Sequence, residues 1–322
     1  MSHAGPNAAA SARPSTDDPG VVTDAPKSWR DVVGAYVGLT KPRVIELLLL
    51  TTVPVMFFAE RGIPPLGLVA ATVVGGALSA GSASAYNCIY DRDIDEQMRR
   101  TRRRALPRHI VSPVSALVFA TVLAVLSTVV LALWVNWLSA ALSVLANAFY
   151  VFVYTMLLKR RTTQNIVWGG LAGCFPALIG WTAVTGELAW TPVVLFLVVF
   201  FWTPPHTWAL ALRYREDYRN VDVPMLPVVK PATEVGRQVV IYSWVMVATS
   251  LLLWPVAGTS LVYPVAAAVL GAVFLVEAHR MWKRAKGSEA LTDINPMRLF
   301  HASNLYLSLL FVAVALDPLL GR

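Results

Sequence analysis

Nine apolar runs, each long enough to cross about 30 Å of hydrocarbon as a helix, occupy most of the chain, and few folds accommodate that. They lie at about 43–60, 65–90, 111–132, 136–158, 164–185, 190–212, 236–256, 260–280 and 297–317. In lipid, every backbone N–H and C=O must be paired within its own segment or around a closed barrel. Barrel strands alternate in pieces of about ten residues, whereas these runs stay apolar for roughly twice that length, so helices are expected. Composition agrees. Only 14% of the residues are charged, against about 25% in a soluble domain, too few to cover a water-exposed surface. The expected fold class is therefore all-α, a polytopic membrane helical bundle of about nine transmembrane helices.

Residues 1–28 are rich in Ala, Ser, Pro and Asp without apolar periodicity, and read as a disordered cytoplasmic tail. They lack the basic start, apolar middle and cleavage site of a signal peptide. Residues 29–322 form the membrane domain. Of the 27 Lys and Arg residues, all but Arg61 and Arg322 fall in the tail, in the loops after spans 2, 4, 6 and 8, or at adjoining helix ends. The positive-inside rule then puts the N-terminus and those loops in the cytoplasm and the C-terminus outside. Because the formal charge of +8 sits at membrane boundaries, it suits anionic lipid and excludes nucleic acid as the natural partner. Cys88 and Cys174 lie within apolar runs and read as small buried hydrophobes.

Two polar clusters interrupt this pattern on the cytoplasmic side. The first is Asn87-Cys88-Ile89-Tyr90-Asp91-Arg92-Asp93-Ile94-Asp95. On a helix Asn87, Asp91 and Asp95 recur every four residues and share one face, with Asp93 about 160° away. Two carboxylates and an amide there suit a hard cation such as Mg²⁺, which takes one or two protein carboxylates and completes its shell with water and phosphate oxygens. The plainer alternative is a solvated acidic helix end. Arg99, Arg100, Arg102, Arg103, Arg104 and Arg108 follow directly; guanidinium groups grip phosphate bidentately, though such arginines also enforce topology. The second cluster runs from Pro204-Pro205-His206-Thr207-Trp208 through Arg213-Tyr214-Arg215-Glu216-Asp217-Tyr218 to Asp222-Val223-Pro224-Met225-Leu226-Pro227. His206 lies about two turns inside span 6, where a titratable group is either functional or hydrogen-bonded into the bundle. Tyr154, Lys159-Arg160-Arg161 and Asn165 add to the same side.

The Asn87-x-x-x-Asp91-x-x-x-Asp95 pattern resembles the first aspartate-rich motif of the UbiA-type intramembrane prenyltransferases. Other stretches resemble the protohaem IX farnesyltransferase (haem O synthase) branch in particular: Leu39-Thr40-Lys41-Pro42-Arg43-Val44, Asp91 to Thr101, Leu158-Lys159-Arg160-Arg161-Thr162, Gly180-Trp181, Pro205-His206-x-Trp208 and Val223-Pro224-Met225-Leu226-Pro227. The resemblance implies transfer of farnesyl from farnesyl diphosphate to the 2-vinyl group of haem B, with addition of water, in the plasma membrane and upstream of a haem A synthase. Under it, Asn87, Asp91 and Asp95 are the catalytic set, and Asp91, Asp95 and Asp217 hold Mg²⁺. Arg102, Lys159 and Arg213 grip the diphosphate, and His206 contacts haem. In one respect the chain departs from the wider superfamily: Arg213 stands where a second run of aspartates would begin. This favours an arginine clamp beside one metal site over two symmetric metal sites. Two other readings compete, an aromatic prenyltransferase of quinone synthesis and a secondary transporter with charges at the bilayer midplane.

Overall fold

The computed structural model describes residues 28–320. The expected tail, apart from Ser28, and the placement of Arg322 lie outside the described residues. Among those described, the secondary structure is entirely helical, and nine helices are long and apolar enough to cross a membrane.

One helix precedes the spans. Ser28 accepts the Asp31 N–H and opens α1 (Trp29–Thr40). Trp29, Val33 and Val37, four residues apart, are each at least half exposed, while Leu39 and Tyr36 pack with Ala85 and Phe119. The run is too short and too polar to span, so hydropathy alone passes it over; its two-faced pattern suits the membrane interface. Lys41, in the left-handed region at φ 52°, joins it to the first span.

The spans follow as α2 (Pro42–Glu60), α3 (Leu66–Tyr90), then after a short α4 (Arg92–Gln97), α5 (Pro113–Trp134) and α6 (Trp137–Ala148). A π-helical stretch, Phe149–Leu158, extends α6. Span 5 is α7 (Asn165–Gly169), a 3₁₀ turn and α8 (Phe175–Thr185); span 6 is α9 (Trp190–Arg213). After the short α10 (Arg215–Arg219) and α11 (Leu226–Val229) come α12 (Ala232–Ala257) and α13 (Val262–Gly287). Finally α14 (Leu291–Ile294) leads into α15 (Pro296–Leu320). Neighbours pack in a ring, α3 on α5, α5 on α6, α6 on α8, α8 on α9, α9 on α12, α12 on α13 and α13 on α15. The ring closes where α15 packs back on α2, and α2 also lies against α8.

The expected spans match these helices, with the largest difference at α13, which runs seven residues past 280. Its last turns are amphipathic and hold themselves above the bilayer: Lys286 Nζ sits 3.8 Å over the Trp282 ring, and Arg284 reaches Glu277 at 2.8 Å and the Ile294 carbonyl at 2.9 Å. At the opposite membrane face a second buried carboxylate has a structural task. Asp317 on α15 accepts the N–H groups of Ser260 and Tyr263 and the Ser260 hydroxyl, capping the start of α13. Buried Cys88 and Cys174 carry free thiols and pack as hydrophobes.

The contact of α2 with α8 requires a missing side chain. A Cβ on Gly180 would lie 2.5 Å from the Thr52 carbonyl oxygen, backbone that cannot step aside. Gly180→Val should therefore destabilise the bundle by roughly 1–3 kcal/mol through overpacking. Its thermal unfolding midpoint in detergent should fall, whereas Gly76→Ala, where a Cβ meets open space, should leave the midpoint unchanged.

Candidate active site

The first aspartate motif sits where α3 ends. Asp91, at φ −88° and ψ 5°, breaks the helix between α3 and α4, yet the ladder carries across: Asp91 N–H reaches the Asn87 carbonyl and Asp95 N–H the Asp91 carbonyl. Asn87, Asp91 and Asp95 thus keep their one-turn spacing, and all three are buried. Asp93 points away, exposed, with Arg160 on both its oxygens at 2.6 and 2.7 Å. That bond holds the Asp93 carboxyl below its usual value.

Each buried polar group of the motif meets a partner from another element. Asp91 is wholly buried; it pairs with Lys159 Nζ, accepts the Asn87 amide at 2.7 Å and has Arg160 at 3.4 Å. Arg104 donates to Asp95 Oδ2 at 2.6 Å. Asn87 also donates to the Thr155 hydroxyl at 3.2 Å and accepts from Lys41 Nζ at 2.7 Å. Burial pushes the Lys41 ammonium down to about 8. The π-helical stretch places Thr155 and Tyr154 here; α7 comes so close that a Cβ on Gly169 would fall 2.1 Å from the Tyr154 ring. Such stretches recur at functional sites.

The second cluster joins the first. Asp217 on α10 is buried and accepts the Arg100 N–H at 3.1 Å, while the Arg100 guanidinium reaches the Tyr218 hydroxyl at 3.3 Å and lies over the Tyr214 ring. Val223 and Met225 are buried, and Met225 Sδ accepts from Asn165 Nδ2, which also donates to the Lys159 carbonyl. The Pro-Met-Leu-Pro segment therefore braces the residues behind Lys159. Asn165 Oδ1 and Arg160 Nε are buried in this region with no hydrogen-bond partner among the described residues.

Three expected site residues stand elsewhere. Arg102 is exposed in the 98–110 connection, and it is Arg104, two residues on, that turns inward to Asp95. Arg213 is exposed at the end of α9, because the helix buries the preceding Ala211 and Leu212 instead. The arginine clamp expected at 213 therefore has no support here; Arg100, Arg104 and Arg160 occupy the site. His206 is packed within the bundle: its ring is stacked between Trp202 and Phe300, at 4.2 and 4.6 Å, and Nδ1 bonds the Ser303 hydroxyl at 2.8 Å. Lys41 and Thr155 carry no signal of their own in the sequence, and Arg160 stands there only as one of three cations closing span 4, although Lys41 and Arg160 lie in the segments that carry the family resemblance.

The donor set fits one shared cation. No cluster of three or more His, Cys, Asp or Glu occurs among the described residues, so no all-protein cage exists there. Asp91 and Asp95 nevertheless offer two carboxylates on successive turns; Arg104 engages only Oδ2 of Asp95, while Lys159 engages Oδ2 of Asp91 and Arg160 stands 3.4 Å from its Oδ1. That suits Mg²⁺, which keeps several positions for water and phosphate oxygens. About one turn before Asn87 on α3 an apolar cavity begins, lined by Ile45 and Leu48 of α2, Gly76, Ala80, Ala83 and Ser84 of α3, and Tyr150.

The chain matches the model of the UbiA prenyltransferase family over residues 48–304. It is similar to the protoheme IX farnesyltransferase of Nocardioides sp., at 84% identity over 91% of this chain and 94% of the relative. It is also similar to the protoheme IX farnesyltransferase of Cutibacterium acnes, at 61% identity over 91% and 87%. Among solved structures it resembles digeranylgeranylglyceryl phosphate synthase (TM-score 0.72, 14% identity, 89% of this chain and 99% of that one). It likewise resembles a UbiA homologue of Archaeoglobus fulgidus bound to dimethylallyl diphosphate and Mg²⁺ (TM-score 0.65, 16% identity, 87% and 98%).

The inward and outward arginines should separate by measurement. With inorganic diphosphate and Mg²⁺, Arg104→Ala should weaken binding by about thirtyfold or more, the cost of about 2 kcal/mol for breaking a buried charge pair. Arg213→Ala should change it by less than about twofold, as for a surface charge. Isothermal titration of the two variants checks the ranking.

Proposed function

The chain belongs to the UbiA prenyltransferase family, and on that premise we propose that this multi-pass membrane enzyme transfers farnesyl from farnesyl diphosphate to the 2-vinyl group of haem B. The observation that carries this reading is the junction of two environments. A buried carboxylate and cation cluster, Asp91, Asp95, Lys159, Arg104 and Arg160, follows an apolar cavity along α3, whose last lining residue there, Ser84, precedes Asn87 by about one turn. From Ala83 to Thr72 the cavity follows α3 for about 17 Å of helix rise, the scale of a three-isoprene chain.

Reaction requires the allylic C1–O bond to break, with its electron pair leaving on the diphosphate. Lys159, Arg160 and Arg104 face that developing charge in a site largely withdrawn from water, where such interactions are strong. Mg²⁺, held by Asp91 and Asp95, with Asp217 bracing the Arg100 turn beside them, would supply Lewis-acid neutralisation of the leaving group when bound. Asn87, fixed between Lys41, Asp91 and Thr155, keeps the first aspartate oriented. The apolar cavity holds the isoprenoid away from bulk water until the terminal vinyl carbon forms its bond to C1. Water then adds to the vinyl carbon next to the ring and loses a proton, giving the hydroxyethylfarnesyl group of haem O. A haem A synthase would be the downstream partner.

The enzyme would sit in the plasma membrane, with the loops holding both clusters on the cytoplasmic side. The packed position of His206 supports a structural role for it, not ligation of haem iron.

Expression in cells lacking haem O, followed by haem extraction and mass spectrometry, should reveal the farnesylated porphyrin; its absence at normal membrane expression would overturn the reading. Asp91→Asn should lower the product by about a hundredfold or more, the scale of a lost transition-state electrostatic contact. Asp93→Asn, on the exposed face, should stay within a few-fold of wild type. For orientation, cysteines introduced at positions 104 and 320, in a background without Cys88 and Cys174, should label from opposite sides of the membrane.

A further inference from the structure

An arginine-lined cavity lies beside the aspartate motif, on the far side of Arg104. It occupies about 680 Å³ between α1 and the 98–110 connection, and Arg30, Arg100, Arg103, Arg104 and Arg108 all line it. Asp31 is the one carboxylate among the described residues that lines it; Arg104 is paired with Asp95 behind it, and Arg30, Arg100 and Arg103 add positive charge around Asp31. Such an excess calls for an anionic occupant. We infer that this cavity holds the two propionate carboxylates of the porphyrin acceptor, and so forms the cytoplasmic half of the acceptor subsite.

Three observations favour a planar dicarboxylate over the diphosphate of the first substrate. First, the cavity lacks the paired carboxylates that a metal-bound diphosphate needs; those stand behind Arg104, around Asp91 and Asp95. Second, the α1 wall is nearly bare. Gly34, Ala35 and Gly38 line it, and an added Cβ at Gly34 or Gly38 would meet nothing within 4 Å. A flat ring edge can approach that wall closely, while arginines on the facing connection reach its carboxylates. Third, the cavity and the metal-binding motif share a wall, since Arg104 lines the cavity and donates to Asp95 at 2.6 Å. Propionates held here keep one edge of the acceptor in the cytoplasmic layer next to the reacting diphosphate, with the vinyl edge on the opposite side of the ring.

The inference rests on the reading of haem B as acceptor, and the test separates the two. Full-length protein in detergent is titrated by absorbance with haem B and with its dimethyl ester, which lacks the propionate charges, and binding of farnesyl diphosphate is measured in parallel. Wild type should bind haem B about tenfold or more tightly than the ester, the scale of one lost charge-assisted hydrogen bond. The double variant Arg30→Ala/Arg103→Ala should lose that preference while its affinity for farnesyl diphosphate stays within about twofold, which also reports that it is folded. Gly34→Leu, which fills the cavity, should weaken haem B binding without affecting farnesyl diphosphate. Equal binding of acid and ester by wild type would overturn the inference, whatever the fate of the variants. So would an equal loss of both substrates in the arginine variant. Failure of wild type to farnesylate any porphyrin would instead count against the acceptor assignment itself.

Discussion

Asp91 is the point on which the rest of the site depends. A carboxylate with no solvent exposure needs partners in place of water, and here Lys159, Asn87 and Arg160 supply them. Removing one partner of such a pair typically costs about 3–5 kcal/mol, because the other charge is left buried. The pair also ties the end of α3 to the end of the π-helical stretch, two elements separated by 68 residues in the chain. Structure and the proposed chemistry are coupled there: the cations that pair with Asp91 in the free protein are the ones proposed to meet a departing diphosphate.

The same logic extends outward in layers. Lys41, held in a left-handed conformation before Pro42, turns from the first span to reach Asn87. Backbone strain of this kind costs of order 1–3 kcal/mol and persists where the surroundings enforce it. Asn165 is anchored to Met225 and to the Lys159 carbonyl, so the second cytoplasmic cluster supports the first from behind. Asp217 does the same through the backbone of Arg100. The two clusters are thus joined by scaffolding, with the proposed metal donors Asp91 and Asp95 in the first.

Membrane burial also explains which polar groups are not part of the chemistry. Asp317 caps α13 near the opposite face, and Glu277 sits between Arg284 and Arg298 to join the last two spans. His206 is held between two aromatic rings, with Nδ1 bonded to Ser303. Of these only His206 is a functional candidate from its depth in a span, and the partners of each across the helix interface come from the tertiary structure.

The amino-acid sequence by itself determined the number of spans, their helical character and the face on which Asn87, Asp91 and Asp95 stand. These are properties of chain length, apolar continuity and the 3.6-residue period, all local. It also carried the family resemblance through short motifs such as Pro-Met-Leu-Pro. It could not say which arginine of the run from Arg99 to Arg108 turns inward, because a loop has no period from which to read direction; Arg104 and not Arg102 meets Asp95. Nor could it place Arg213, whose exposure follows from how α9 buries Leu212. The tertiary structure decided those matters, since the partner of a buried charge is set by which elements pack together, and those elements are distant in the chain.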